Sequence, residues 1–287
     1  MAFIKKLFYS VTLTILFYNC SNIEKIEKTG ELDSTKSYQE LDIAYGDDSN
    51  QTFDLYLPAN RNTDTKIIIL VHGGGWISGD KSDMNILKDL IRTDFPNMAV
   101  ANINYRLADE NNPPYPMQIH DISSVISYLK ENKSVYNISD NISFIGTSAG
   151  AHLSLLWSYA FDTAEKVNMV CSIVGPTNFT DSAYTESNDP ALQALLLVYG
   201  PSPTTDFLVE VSPYHQVTNT APPTILFYGG QDPLVPISQG TAMRDKLESL
   251  NVTHEFTLYP DAGHGWTGSD LLDTWAKLRT FISTHAQ

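Results

Sequence analysis

The 287-residue chain has only two cysteines, Cys20 and Cys171, too few for a disulfide framework and without the spacing of a zinc site. Positive charge is also scarce: 18 Lys and Arg stand against 33 Asp and Glu, a formal net charge of −15. A nucleic-acid backbone would be repelled by that field, so no nucleic-acid partner is expected. No apolar run reaches the roughly 18 residues needed to span a bilayer, and internal repeats and low-complexity tracts are missing. What the chain does have is 42% hydrophobic and 11% aromatic residues, enough for a sizeable core, in a length that suits one large domain or two small ones.

The first twenty residues stand apart. Lys5 and Lys6 precede an apolar run from Leu7 to Tyr18, and Asn19 and Cys20 follow it. This is the anatomy of an export signal: a basic start and an apolar stretch too short to cross a membrane. A cysteine at the end of such a run resembles a bacterial lipoprotein signal, with Cys20 as the lipid attachment site, although Tyr18 and Asn19 stand where small residues are usual. An ordinary cleaved signal and an uncleaved anchor are the alternatives. Residues 21–39 are polar, with alternating Glu and Lys, and read as a solvated tether. The expected organisation is a signal segment over 1–20, a tether over 21–39 and a domain over 40–287. Any membrane association would then run through the N-terminal lipid, with the protein exported to face an extracytoplasmic compartment.

Within the domain, strand and helix signals alternate. Short β-rich runs lie at Thr52–Leu57, Lys66–Val71, Met98–Tyr105, Ile142–Thr147, Val167–Val174, Thr224–Tyr228 and His254–Tyr259. Several are apolar at every position, as strands covered by helices on both sides must be. Helix-like stretches separate them, and Ile119, Ile122, Val125, Ile126 and Leu129 form an apolar stripe at helical spacing. That alternation predicts an α/β fold with a mostly parallel sheet and helices on both faces. Residues 175–223 break the rhythm with Pro, Thr, Asn and Ser and one helix candidate at Leu192–Tyr199, which suggests a small cap over a ligand crevice.

Three segments carry chemistry. Gly146-Thr147-Ser148-Ala149-Gly150 falls where a strand meets a helix. Small neighbours let the two backbones nearly touch, and the turn lifts the serine hydroxyl to a helix N-terminus. His72-Gly73-Gly74-Gly75-Trp76 follows another strand, and its glycines leave backbone N–H groups uncovered, as an oxyanion hole requires. Asp232 and His264 each follow one of the last two strands. A serine hydroxyl needs a base, imidazole titrates near neutrality, and the imidazole needs a carboxylate to fix its tautomer.

From Leu41 to Phe281 the chain resembles the α/β-hydrolases of the esterase and lipase group, which includes hormone-sensitive-lipase-like and feruloyl or acetyl-xylan esterase-like enzymes. The order serine, aspartate, histidine is that fold's order. The stretches Asn104–Ala108, Pro114-Tyr115-Pro116 with Asp121, and Ser212-Pro213 add to the likeness. The resemblance implies an α/β-hydrolase fold with Ser148 as nucleophile, Asp232 as acid and His264 as base. It further implies Gly74, Gly75 and Ala149 as oxyanion donors, with no metal or organic cofactor. The lipase-like members carry cap helices ahead of the core, whereas only a short tether precedes it here.

Carboxylic ester hydrolysis is therefore the expected activity. Amide hydrolysis, as by an aryl-formamidase or small peptidase, and a non-catalytic binding role are the alternatives. With only residues 175–223 to cover the crevice, the site reads as shallow. It would suit short acyl groups on a small-molecule or glycan alcohol, with Trp76 and Trp266 available to stack on a sugar, although both suit plain packing equally well. His152 reads as a structural histidine, Asp80 as a helix cap, Arg106 with Asp121 as an ion pair, and Cys171 as inert.

Overall fold

Every residue of Ile67–Val71 is buried, which a strand achieves only inside a sheet covered on both faces. The computed structural model of the protein, which describes residues 32–286, builds that sheet from eight strands. They are β1 (Tyr38–Ala44), β2 (Thr52–Leu57), β3 (Ile67–Val71), β4 (Ala99–Ile103), β5 (Ile142–Thr147), β6 (Val167–Ile173), β7 (Thr224–Gly229) and β8 (His254–Tyr259). Their spatial order is β1-β2-β4-β3-β5-β6-β7-β8. β2 runs antiparallel to both neighbours, and all other pairs are parallel. The helices are α1 (Asn85–Asp94), α2 (Pro114–Glu131), α3 (Lys133–Tyr136), α4 (Ala149–Ala160), α5 (Ser182–Thr185), α6 (Pro190–Leu197), α7 (Thr205–Glu210), α8 (Pro213–Gln216), α9 (Ile237–Ser249) and α10 (Gly268–His285).

Alternation along the strands sorts the helices into two layers. Ile67, Ile69 and Val71 of β3 join a core with Ile119, Ile122 and Val125 of α2 and Leu153 and Leu156 of α4. The intervening Ile68 and Leu70 face the other way, into a core with Ile91 of α1 and Leu278, Phe281 and Ile282 of α10. So α1 and α10 share one face of the sheet. The chain leaves β3 for one neighbour, β4, and later returns to its other side as β5, so strand order reverses at β3. The crevice at the strand C-termini beside such a reversal is where open α/β sheets bind ligands. The loop His72–Trp76 leaves β3 and Ser148 leaves β5, which brings both to that crevice.

Two expectations need correction. Residues 32–39 are not free tether: Arg61 donates to the carbonyls of Lys36 at 2.6 Å and Tyr136 at 2.7 Å, and β1 begins at Tyr38. The insertion over 175–223 holds four short helices, α5 to α8, rather than one. The signal segment 1–20, with Cys20, and residues 21–31 lie outside the described residues. No helix among the described residues is long and apolar enough to cross a membrane.

Candidate active site

Ser148 sits between β5 and α4 with φ +50° and ψ −120°, a conformation that side-chain-bearing residues seldom hold. Its surroundings enforce it. The Ser148 amide donates to the Ile173 carbonyl at 2.8 Å, tying the turn to β6. A Cβ on Gly150 would lie 2.2 Å from the Val71 carbonyl oxygen, and one on Gly146 would lie 2.4 Å from that of Gly150. Only glycine lets β5, α4 and the end of β3 come this close.

Asp232 and His264 arrive from the loops after β7 and β8. The loops are joined by two backbone bonds, Gly230 N–H to Tyr259 O and Gln231 N–H to Ala262 O, each 2.8 Å. The Asp232 carboxylate is almost wholly buried. Its Oδ1 accepts from the amides of Leu234 at 2.8 Å and Val235 at 3.0 Å, which aims Oδ2 at the imidazole. His264 Nδ1 is 2.7 Å from Asp232 Oδ2, and Nε2 is 2.8 Å from Ser148 Oγ. A carboxylate accepts from Nδ1–H, so Nε2 is left with a lone pair for the serine proton. Residues 84 and 116 positions downstream of Ser148 are thus joined to it in one hydrogen-bonded chain.

The loop after β3 forms the opposite wall. Gly74 has φ +106°, and a Cβ there would lie 2.0 Å from the Ser78 carbonyl oxygen. Gly75 and Trp76 also have positive φ, at +59° and +66°. The amides of Gly74, Gly75 and Ala149 donate to no acceptor among the described residues, leaving three N–H groups available beside Ser148. His72 braces the loop from below: it is stacked on Tyr105 at 4.2 Å and bonds the Gly73 carbonyl through Nδ1 at 2.7 Å. Burial pushes its pKa down, favouring the neutral ring.

The bracing roles of two residues, Gln118 and Tyr105, were not legible in the sequence. Buried Gln118 donates to the carbonyls of Trp76 at 2.7 Å and Arg106 at 2.8 Å, pinning the β3 loop to the β4 loop. Tyr105 donates to the His72 carbonyl at 2.9 Å. The available signal was a glutamine next to Ile119, within the apolar stripe of α2. Arg106 and Asp121 do form an ion pair, at 2.6 Å, and Asp121 also accepts from the Arg106 amide. Asp80 caps the short helical turn Lys81–Met84. Cys171 is buried in β6, and burial raises its thiol pKa.

Trp76 borders the cavity but is held chiefly by packing. It is 1% exposed, its indole N–H donates to His152 Nδ1 at 3.2 Å, and Phe179 and Tyr199 pack against it. Trp266 is half-buried, packs on Tyr259 and donates to Thr274 Oγ1 at 2.7 Å, with part of its surface lining the cavity.

His152 is structural, held by Trp76 on one side and by the Val211 carbonyl at 2.8 Å on the other. Burial pushes its pKa down to about 4. Above the ordinary histidine value near 6.5, both folded and unfolded chains keep it neutral and nothing is lost. As pH falls from there to about 4, the unfolded chain takes up a proton that the folded protein refuses. Stability declines across that window and levels off below it, by roughly 3 kcal/mol in all. Denaturant titrations at pH 7 and 4.5 should show a smaller acid loss in His152→Gln than in the wild type, by roughly 2 kcal/mol. Equal losses in both proteins would contradict this account.

A cavity of about 700 Å³ opens over Ser148 and His264 and is lined by both α1 and α10. The expectation of a shallow site rested on the cap alone; Pro176 and Leu195 of the cap do line the cavity, but so do two core helices on one face of the sheet.

The fold is that of the α/β-hydrolases. The BD-FAE family model matches residues 53–247, more than half of the chain, and the protein belongs to that family. Among curated proteins it is similar to Esterase LipC of Mycobacterium tuberculosis, 26% identical in an alignment 260 positions long that covers 85% of this chain and 62% of that protein. The chain spans only 51–62% of the length of the first curated relatives it matches. Among solved structures, a truncated carbohydrate esterase from gut microbiota superposes with a TM-score of 0.69 at 22% identity, over 88% of this chain and 99% of that one. A butyrate-bound esterase from the Planctomycetes species Thermogutta terrifontis gives 0.68 at 20% identity, over 85% and 93%.

Proposed function

We propose that the protein is a carboxylic ester hydrolase with Ser148 as nucleophile, His264 as general base and Asp232 as the group that orients it. The observation that carries this reading is the His264 imidazole, 2.8 Å from Ser148 Oγ and 2.7 Å from Asp232 Oδ2. In acylation, Ser148 Oγ attacks the ester carbonyl carbon and its proton passes to His264 Nε2. The carbonyl oxygen becomes an oxyanion facing the amides of Gly74, Gly75 and Ala149. The bond to the alcohol oxygen then breaks, and the proton on Nε2 goes to the departing alcohol. In deacylation, a water gives its proton to Nε2 and attacks the acyl carbon. The acid leaves and the proton returns to Ser148 Oγ. Buried Asp232 stabilises the imidazolium in both halves.

Esters of small alcohols and of glycans are the substrates we put forward, a reading supported by the similarity to the gut carbohydrate esterase. A fluorophosphonate probe should label Ser148 covalently, and matched ester and amide substrates at equal concentration should separate the two hydrolytic readings. Absence of labelling would leave a binding role, and faster amide than ester turnover would favour an amidase.

Localisation is part of the same proposal: export through residues 1–20 and lipid attachment at Cys20. The wild-type protein, expressed in a bacterial host, should partition into the detergent phase, and Cys20→Ser should not. Aqueous partitioning of both would remove the lipid anchor.

A further inference from the structure

The cavity at Ser148 extends beyond what a short acyl group would occupy. On one side it is lined by Ile86, Leu87 and Leu90 of α1, and on the other by Leu271, Trp275 and Leu278 of α10. Each trio falls on one side of its helix, with spacings of one, three, four and seven residues. Both helices start near the reacting groups, since α1 lies downstream of the β3 loop and α10 follows the His264 loop. Along α10 the exposure falls from 40% at Leu271, through half-buried Trp275, to none at Leu278. Ile86, at the start of α1, is 70% exposed. The groove thus opens at the site and deepens between the helices.

Apart from the exposed carboxylate of Asp83, just ahead of α1, the polar groups along the two helical walls are already committed. The Thr274 hydroxyl is bonded to the Asp270 carbonyl at 2.8 Å and to Tyr259 Oη at 2.9 Å. At the far end, Trp275 Nε1 donates to the exposed Asp94 Oδ2 at 3.1 Å, tying α10 to the last residue of α1. A polar ligand would therefore lose its hydration between the two helices while gaining few partners there.

We propose that this groove binds the acyl chain, and that the preferred acyl group is an unbranched aliphatic chain of about six to ten carbons. The proposal rests on the reading of Ser148 as nucleophile. From Leu271 to Leu278 the helix rises about 10 Å, the length of an extended chain of about eight carbons. A chain bonded to Ser148 enters beside Ile86 and Leu271 and ends near Leu90 and Leu278. Each methylene so buried favours the transition state by up to about fourfold.

The test is kcat/KM of the full-length protein on p-nitrophenyl acetate, butyrate, octanoate and palmitate, which differ only in the acyl group. Octanoate should exceed acetate by about tenfold or more, with palmitate falling away because its chain outruns the roughly 10 Å of apolar wall between Leu271 and Leu278. Ethyl octanoate should be a better substrate than octyl acetate, which places the chain on the acyl side. Leu90→Trp, which fills the deep end, should lower the octanoate-to-acetate ratio at least about fivefold. Ile86→Asp, at an exposed position that folding tolerates, should lower the same ratio by putting a charge at the mouth. A maximum at acetate or butyrate, preference for octyl acetate, or an unchanged ratio in both variants would overturn the assignment. In those cases Ser148 would still label and some ester would still turn over. Failure of labelling and of every ester would instead bring down the ester reading itself.

Discussion

Ser148→Ala should lose ester turnover by about 10⁴- to 10⁶-fold while keeping the wild-type circular dichroism spectrum and melting temperature. Removing Oγ deletes the nucleophile but leaves the turn intact, because the Gly146 and Gly150 contacts and the Ser148 amide bond to Ile173 do not involve the hydroxyl. His264→Ala should lose nearly as much, since a serine hydroxyl without a base is a poor nucleophile. The double variant should be scarcely slower than either single one: once either partner is gone, the other has no proton transfer left to perform. Asp232→Asn should lose a comparable amount or less. An amide that presents its NH₂ group to Nδ1 favours the tautomer whose Nε2 carries the proton, the wrong state for accepting from Ser148. Additive losses in the double variant, or wild-type turnover in Ser148→Ala, would dismantle the assignment.

The parts of the site visible in the sequence were those where backbone geometry restricts residue choice. Gly146 and Gly150 are legible because any Cβ would strike backbone, and the glycines after His72 because Gly74 needs a positive φ against Ser78. Strands β2, β5 and β8 begin and end where the apolar runs do. β1 was not legible: six of its seven residues are exposed or half-exposed at the sheet edge, so no apolar alternation marks it. The short helices α5, α7 and α8 have four to six residues each, too few to display a period. The role of Trp76 was hidden for a different reason. Its neighbours His152, Phe179 and Tyr199 are remote in sequence, and only the fold shows that they enclose it.

The acyl groove illustrates the same limit. Ile86, Leu87 and Leu90 read as one face of a helix packed on a sheet, and so do Leu271, Trp275 and Leu278. Which apolar face is buried against the sheet and which lines a void depends on where α1 and α10 sit relative to each other. They lie on the same face because β3 sends Ile68 and Leu70 toward both. Nothing in either helix's own pattern states that the other is its neighbour.

A large stability effect should come from Gly150→Ala, which adds one methyl group. Its Cβ would lie 2.2 Å from the Val71 carbonyl oxygen and 2.3 Å from that of His72, both main-chain atoms at the end of the central strand. Neither can yield by rotating a side chain, so β3 or α4 must shift, at a cost of about 3 kcal/mol or more. For a domain of this size that corresponds to a melting temperature lower by about 8 °C or more. Two other glycines separate contact from conformation. Gly75→Ala meets no atom within 4 Å but must keep φ +59°, so its penalty is the backbone strain alone, about 1 kcal/mol. Gly265→Ala has neither a close contact nor a positive φ and should melt within about 0.5 kcal/mol of the wild type, even though it adjoins His264. Thermal denaturation of the three variants should therefore rank Gly150→Ala far below Gly75→Ala, and Gly75→Ala below Gly265→Ala. Equal melting temperatures for Gly150→Ala and Gly265→Ala would mean that the approach of α4 to β3 is looser than the geometry around Ser148 requires.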